Sequence, residues 1–362
     1  MPAGGRSSDQ LPEGDTVRHP VAHGRRSALV SGATGYIGSW LIPRLLAQGW
    51  SVRAVGRRPR PTWMPAEVDY RRVDLLRADD LDALSRGVSH VFHLAGASSS
   101  LSSSEEMYQS NAVATERLVA SLLGGDVQRL VYFSSTSVYG EEEQLPVPVR
   151  EDVEPHPSRL YGKTKWQAEQ AVWSAGQSGL PVVVLRPVSV YGPGNVKLLA
   201  SAVLDTAIER SGGQRRLPVH AEPVELRLVH IDDVVGASIH LARCADVIGR
   251  AFNVAFPEYP TNHEVVEILG GVFGLAPELS DDPDCGLNYD DRAAERDTML
   301  SRGMQPNILL TDERFRFLRR ANRNNRLSVD ALLSTGFRFE HRDLKEAIEN
   351  VVAWYRDTQW IL

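Results

Sequence analysis

Three glycines within seven residues, Gly32, Gly35 and Gly38, stand between a short apolar run, Ala28–Val30, and an amphipathic stretch, Trp40–Gln48. Glycine is required where a chain turns tightly and where backbone N–H groups must come close to a ligand. A strand that ends in such a turn and enters a helix aims the helix's first N–H groups, and the positive end of its dipole, at an anion. The segment Ser31–Gly38 is therefore read as a strand, turn and helix that cradle a dinucleotide pyrophosphate through Gly32, Gly35, Tyr36, Ile37 and Gly38.

The same rhythm continues along the chain. Apolar runs at Ser51–Val55, Val88–Leu94, Leu130–Ser134 and Val182–Leu185 alternate with amphipathic stretches at Leu81–Arg86, Thr115–Leu123 and Lys163–Ser174. Short buried strands alternating with helices predict an α/β fold of Rossmann type, a doubly wound parallel sheet covered on both faces. The serine-rich Ser98–Ser104 and the acidic, proline-rich Glu141–Pro157 read as surface loops above the carboxyl edge of the sheet, where such folds bind ligands. Beyond Pro193 the pattern loosens into helices near Leu198–Arg210, His263–Phe273 and Leu344–Tyr355, with an extended segment at Leu226–Ile231. The expected organisation is a disordered tail over residues 1–26, a dinucleotide-binding domain over 27–193 and a smaller substrate lobe over 194–362, with a return to the sheet around 226–256.

Composition excludes several classes of function. A chain of 362 residues with 42% hydrophobic and 24% charged residues can bury a large core, and a net charge of −6 offers polyanions no general attraction. The arginine-rich stretch Arg314–Arg326 reads as a solvated face, so nucleic acid is not an expected partner. The two cysteines, Cys244 and Cys285, cannot form a disulfide framework or a Cys/His zinc cluster, so no metal is expected. No apolar run approaches the ~20 residues of a membrane span, and the N-terminus lacks a signal-peptide core. A cytoplasmic, membrane-free protein is the expectation.

Two further patterns carry chemistry. The strand Val52–Val55 is followed by Gly56, Arg57 and Arg58, where an NAD-preferring fold presents an acid to the ribose 2′-hydroxyl. Gly56 leaves room and the arginines suit a 2′-phosphate, so NADP(H) is favoured over NAD(H). Tyr161 and Lys165 are four residues apart at the start of a predicted helix, hence on one face of it. A lysine there can lower the phenol's pKa, the phenol can exchange a proton with a carbonyl or carbinol oxygen, and the Ser135 hydroxyl can bond the same oxygen.

Taken together, the glycine turn, Asp74-Leu75, His93-Leu94-Ala95-Gly96, Asn111, Ser134–Gly140, Tyr161–Lys165, Leu185-Arg186-Pro187, Val190–Pro193 and Val229–Val234 resemble the extended short-chain dehydrogenases, which include sugar-nucleotide epimerases, dehydratases and reductases. The resemblance covers nearly everything after the tail. It implies that Asp74 and Leu75 lie near the adenine, that Leu94, Ala95 and Gly96 run beside the phosphates and ribose, and that Pro187 borders the nicotinamide. It also implies Ser135, Tyr161 and Lys165 as the catalytic set, with Thr136 as a second choice for the hydroxyl and Lys165 also holding the nicotinamide ribose.

Departures from the family pattern narrow the function. Thr136 and Ser137 stand where 4,6-dehydratases carry an Asp and a Glu, which removes the acid and base for eliminating water. Ser189 replaces the family's substrate-phosphate asparagine, and Leu226 replaces an arginine often found before the later histidine motif. Lys197, Arg227, Arg216 or Arg316 are the candidates to compensate in holding a diphosphate. The favoured reading is an NADPH-dependent ketoreductase of a nucleoside-diphosphate sugar. The alternatives are an epimerase with retained NAD, a reductase of a non-sugar ketone of steroid or flavonoid type, and a cofactor sensor without turnover. Association into a homodimer is left open.

Overall fold

The computed structural model describes residues 26–97, 102–140, 145–195, 199–281, 301 and 326–361. The first six strands are β1 (Ser27–Ser31), β2 (Ser51–Gly56), β3 (Asp69–Arg72), β4 (His90–His93), β5 (Arg129–Phe133) and β6 (Val182–Pro187). They are followed by β7 (Ser189–Tyr191), β8 (Arg216–His220), β9 (Leu228–His230), β10 (Arg250–Val254) and β11 (Ala276–Ser280). Seven of these form one parallel sheet in the order β10-β6-β5-β4-β1-β2-β3. This is the doubly wound arrangement expected from the alternating pattern, extended by β10.

The sheet strands read as unbroken apolar runs because both faces are covered. Ala28 and Val30 of β1, Val131 and Phe133 of β5, and Val183 and Leu185 of β6 enter one core with Leu41, Ile42 and Leu45 of helix α1 (Tyr36–Ala47). Their neighbours Leu29, Leu130, Tyr132, Val182 and Val184 enter the opposite core. There they meet α2 (Asp82–Ser85), α4 (Ala114–Leu122) and α5 (Leu160–Gln177), while α3 (Ser104–Tyr108) packs against α5. A side-chain period of two sends successive residues to opposite faces, so one apolar string fills two cores.

The smaller lobe has its own core, built by helices α6 (Leu199–Ser211) and α8 (Asn262–Phe273) with the last helix, Leu344–Asp357. The intervening helix α7 (Ile231–Arg243) and strand β10 return to the sheet, α7 packing Val234, Val235 and Ile239 onto the α1 face. Leu327, Val329, Leu332, Phe337 and Phe339 return to that face as well. Arg26, assigned by composition to the tail, belongs to the fold: its carbonyl accepts the Ser51 N–H at 2.9 Å and its guanidinium lies 5.8 Å from the centre of the Trp50 ring. Residues 1–25, Lys197, Cys285, Arg316 and all of the basic stretch except Arg326 lie outside the described residues. Among the described residues no helix is long and apolar enough to cross a membrane.

Candidate active site

The chain departs from β1 toward β2 on one side and reaches β4 on the other, which opens a crevice at the carboxyl ends of β1 and β4. Gly32, with φ +69°, sits at its floor, where a Cβ would lie 2.6 Å from the Ala95 nitrogen. The loops after β1 and β4 therefore touch through backbone alone. A Cβ on Gly38 would lie 2.6 Å from the Ala33 carbonyl oxygen, so the turn folds tightly under the helix it starts. That turn is already helical by Tyr36, so α1 starts before Trp40, the expected beginning.

Helix α1 opens at Gly35 with no side-chain cap and no acidic residue in its first turn. Its first N–H groups and dipole end are available to an anion, so the turn fits a pyrophosphate. Ile37 packs against the sheet core, and the Tyr36 side chain leaves the crevice for the seam with the smaller lobe. A Cβ on Gly192 would lie 2.9 Å from the Tyr36 hydroxyl oxygen. What these two residues offer a cofactor is backbone.

Leu94, Ala95 and Gly96 form the opposite wall, steered by the buried amide of Asn111. Asn111 accepts the Ala97 N–H at 2.7 Å and donates to the Ala97 carbonyl at 3.0 Å and to the Thr164 hydroxyl at 2.9 Å. This one side chain ties the β4 loop to α5. At the far end of the crevice β2 stops at Gly56, where a Cβ would come within 3.1 Å of Thr34 Cγ2 and the Tyr70 hydroxyl. The Arg57 carbonyl accepts from Arg72 Nε at 3.0 Å, and the Arg58 carbonyl accepts from the Tyr70 hydroxyl. Both side chains are exposed and enter no ion pair among the described residues. Asp74 accepts the Leu76 N–H at 3.0 Å, which turns the chain so that the Leu75 side chain is buried beside the crevice.

Ser135 follows β5 and caps a short turn, Thr136–Tyr139, accepting the Ser137 N–H at 3.2 Å and donating to the Ser137 hydroxyl at 3.1 Å. Tyr161 lies in the first turn of α5, and Gly162 lets that turn press against this one. Burial raises the Tyr161 phenol above its ordinary value, while a hydrogen bond with Ser135 works in the opposite direction. Thr136 is turned toward Pro187, its hydroxyl 3.5 Å from the Pro187 carbonyl oxygen, so Ser135 is the hydroxyl that meets the phenol.

Lys165, one turn further along α5, is buried. Its Nζ donates to the Phe133 carbonyl at 2.5 Å and lies 4.6 Å from the centre of the Tyr132 ring. Burial pushes it down to about 8, against the opposing pull of Glu169. The lowering of the phenol expected from Lys165 is not the net effect: the ammonium is directed at Phe133, and burial dominates at Tyr161.

The substrate candidates separate by strand geometry. Ser189 of β7 pairs with Leu228 of β9, which places it near Arg227. Leu226 and Leu228 enter the lobe core while Val229 enters the sheet core. By the same alternation Arg227 lies on the Val229 side, half-buried, with burial lowering its pKa. Arg216 is engaged at the edge of β8, 3.0 Å from Glu278 of β11.

Two constellations are not evident from sequence pattern. Glu169 and Arg186 form a buried two-bond pair behind Lys165, for which the one-turn spacing from Lys165 to Glu169 is the only local signal. His230, Asp232 and His341 bring ligand atoms within 4.8 Å of one another, through a segment distant in sequence. Asp232 is held by Arg44 of α1 and accepts from His341 Nε2 at 3.0 Å, while its N–H points at His230 Nδ1 at 3.3 Å. These contacts form a clamp that joins α1, α7 and the chain leading into the last helix.

The crevice and the fold define a dinucleotide-binding α/β protein with its polar residues gathered at the carboxyl edge of the sheet. Residues 28–255 match the model of the NAD dependent epimerase/dehydratase family, and the chain belongs to that family, whose members are nicotinamide-dependent oxidoreductases and epimerases. It is 31% identical over 265 residues to dTDP-6-deoxy-L-talose 4-dehydrogenase (NAD(P)(+)) of Kitasatospora kifunensis, covering 70% of this chain and 81% of that protein. It is 28% identical over 253 residues to protein y4nG of Sinorhizobium fredii, covering 67% of this chain and 60% of y4nG, so it spans less than two thirds of that relative's length. Among solved structures, MoeE5 in complex with UDP-glucose and NAD is similar at 27% identity, with a TM-score of 0.68 over 92% of this chain and 99% of that one.

Proposed function

We propose that this protein is an NADPH-dependent ketoreductase of a nucleotide-activated sugar, with Ser135, Tyr161 and Lys165 as its catalytic residues. The observation that carries the reaction type is the Tyr161 phenol beside Ser135, moved by burial above its ordinary value of 10.0 and so protonated at neutral pH. A protonated phenol is the acid that reduction of a ketone requires. Bound in the crevice, the nicotinamide supplies the hydride. Tyr161 delivers its proton to the carbonyl oxygen as that oxygen gains charge, and Ser135 holds the same oxygen by a hydrogen bond. Lys165 keeps a cation beneath the site and would hold the nicotinamide ribose.

Preference for NADPH is supported by the end of β2. Gly56 stands where a carboxylate would contact the ribose, Thr34 and Tyr70 leave little space for a longer side chain, and two exposed guanidiniums follow. The sugar-nucleotide substrate draws on the 4-dehydrogenase relative and on MoeE5, each by its described ligand or reaction. Half-buried on the Val229 side of its strand, Arg227 is the proposed contact for a diphosphate.

The alternative of an epimerase with retained NAD is favoured by the likeness to MoeE5, which binds NAD. A non-sugar ketone as substrate is favoured by Leu226, buried in the lobe core where the family often has an arginine. Calorimetry of the NADPH-loaded protein against TDP, UDP and GDP separates these readings. Saturable binding of one nucleotide, lost in Arg227→Ala, supports the sugar-nucleotide ketoreductase. No binding by any of the three, with turnover of simple apolar ketones, replaces it by the non-sugar reading. NAD carried through purification and recovered on denaturation replaces it by the epimerase.

A further inference from the structure

We propose that Glu169 and Arg186 act together as a positioning pair for Lys165, Glu169 keeping the buried ammonium cationic and Arg186 preventing Glu169 from capturing it. This assignment rests on the reading of Tyr161 and Lys165 as the reacting pair.

Glu169 follows Lys165 by one turn of α5, so the two side chains share a face of the helix. Both are buried, Glu169 completely. A carboxylate and an ammonium so placed in a dry interior would ordinarily close into a direct ion pair. They do not: among the described residues no ion pair joins them, and the lysine donates instead to the Phe133 carbonyl at 2.5 Å, on the way to the crevice. The reason is Arg186. Its Nε lies 3.1 Å from Glu169 Oε1 and its Nη2 2.7 Å from Oε2, a side-by-side contact that occupies both carboxylate oxygens.

Arg186 is itself held by a second set of contacts. Its Nη1 donates to the Tyr139 hydroxyl at 2.9 Å and to the Glu151 carbonyl at 3.1 Å, and its guanidinium lies 4.9 Å from the centre of the Tyr139 ring. Tyr139 in turn donates to Asn253 Oδ1 at 2.8 Å on β10. The chain next passes through Pro187, so this anchoring also fixes the strand end at the crevice. A buried ion pair is poor evidence of stabilisation, since apolar residues of similar volume commonly do as well. A pair set one helical turn behind a buried lysine has a functional explanation. Arg186 occupies both oxygens of Glu169, so the carboxylate acts on Lys165 through its field without drawing the ammonium away.

Among the described residues the titratable groups around Lys165 are few. His93 on β4 is held neutral by burial and by Lys165 itself, Tyr132 on β5 presents its ring, and Tyr161 and Glu169 are the ionisable neighbours on α5. Glu169 is the one whose charge favours the cation, opposing the burial that pushes Lys165 down to about 8.

The sequence contains four lysines, Lys163, Lys165, Lys197 and Lys345, so Lys165 can be followed by 13C NMR of lysine-labelled protein and assigned with Lys165→Met. In the double variant E169Q/R186M, which leaves neither buried charge unpaired, the Lys165 titration is expected to move toward acid by about one unit or more. Thermal unfolding confirms that this variant is folded. The single variant E169Q, if it folds, should move in the same direction. An unchanged Lys165 titration in the folded double variant overturns the proposal and leaves Glu169 and Arg186 a structural pair. That outcome is distinct from failure of the underlying catalytic reading, which would be seen as full turnover in Tyr161→Phe.

Discussion

A Cβ placed on Gly162 would lie 2.3 Å from the carbonyl oxygen of Ser137. The first turn of α5 and the turn that follows β5 thus meet through bare backbone, and this contact brings the Tyr161 phenol to Ser135. Gly162→Ala must push the two turns apart. Overpacking of this kind costs about 1–3 kcal/mol in stability. A displacement of roughly 1 Å at the reacting groups costs about a hundredfold in rate. Turnover is therefore expected to fall far more than the melting temperature, with NADPH affinity little changed. Steady-state kinetics and thermal unfolding on the same sample check this, and an alanine variant with ordinary turnover removes the argument.

Tyr161→Phe removes the proposed proton donor. Turnover should drop by roughly a hundredfold to ten-thousandfold with cofactor affinity preserved, whereas Lys165→Met should damage both. Because burial raises the phenol above its ordinary value, reduction should persist through neutral pH and decline only on the alkaline side, as the proton to be donated is lost. A pH–rate profile falling toward acid instead would mark Tyr161 as a base rather than the acid.

Arg57 and Arg58 follow Gly56 with their side chains exposed. NADPH should bind more tightly than NADH, and the double variant Arg57→Ala, Arg58→Ala should erase the difference. A charge-assisted contact of ~1.5–3 kcal/mol corresponds to roughly tenfold to a hundredfold in affinity. Fluorescence titration with the two reduced cofactors decides the point.

Three buried histidines act on the response to acid: His230, lowered by burial to about 4, together with His90 and His93. Burial lowers His90 from 6.5 to about 4 and His93 from 6.5 to about 3. Both stay neutral in the fold and take up a proton in the unfolded chain below about pH 6.5. Their depressed values contribute stability that is present above 6.5 and is lost as the pH falls toward 4 and 3. Each adds a slope of about 1.4 kcal/mol per pH unit across that window. His341 acts in the opposite sense: its bond with Asp232 raises it, so its contribution is full below the ordinary histidine range and fades as the pH rises through its folded value. Denaturant unfolding between pH 7 and pH 5 should show a steep net loss toward acid, reduced in His93→Gln, whose amide can still reach Ser31 and Thr115.

Much of the fold and part of the site are legible in the amino-acid sequence. The parallel sheet and the glycine turn are readable because each is written in neighbouring residues: a strand buried on both faces is an unbroken apolar run, and a helix that must open onto an anion begins at glycine. Tyr161 and Lys165 are readable for the same reason, since one helical turn separates them. β8 and β11 carry no such mark because they form a separate two-stranded pair, β8 only half buried and β11 largely exposed, with no apolar run to signal them.

The amino-acid sequence by itself determined the fold class, the crevice at the end of β1 and the family, because these depend on periodicity and on residue types at short spacing. Tertiary structure alone decided which hydroxyl meets Tyr161, what restrains Lys165, and on which face of its strand Arg227 lies. Those outcomes depend on contacts between segments far apart in the chain. Ser135 rather than Thr136 faces the phenol because Gly162 lets α5 close on Ser137, while Thr136 turns to Pro187 of β6. Glu169 does not draw Lys165 away from the Phe133 carbonyl because Arg186 arrives from that same strand to occupy it. Burial of charge and the approach of backbones are properties of the packed molecule, and local spacing carries no record of them.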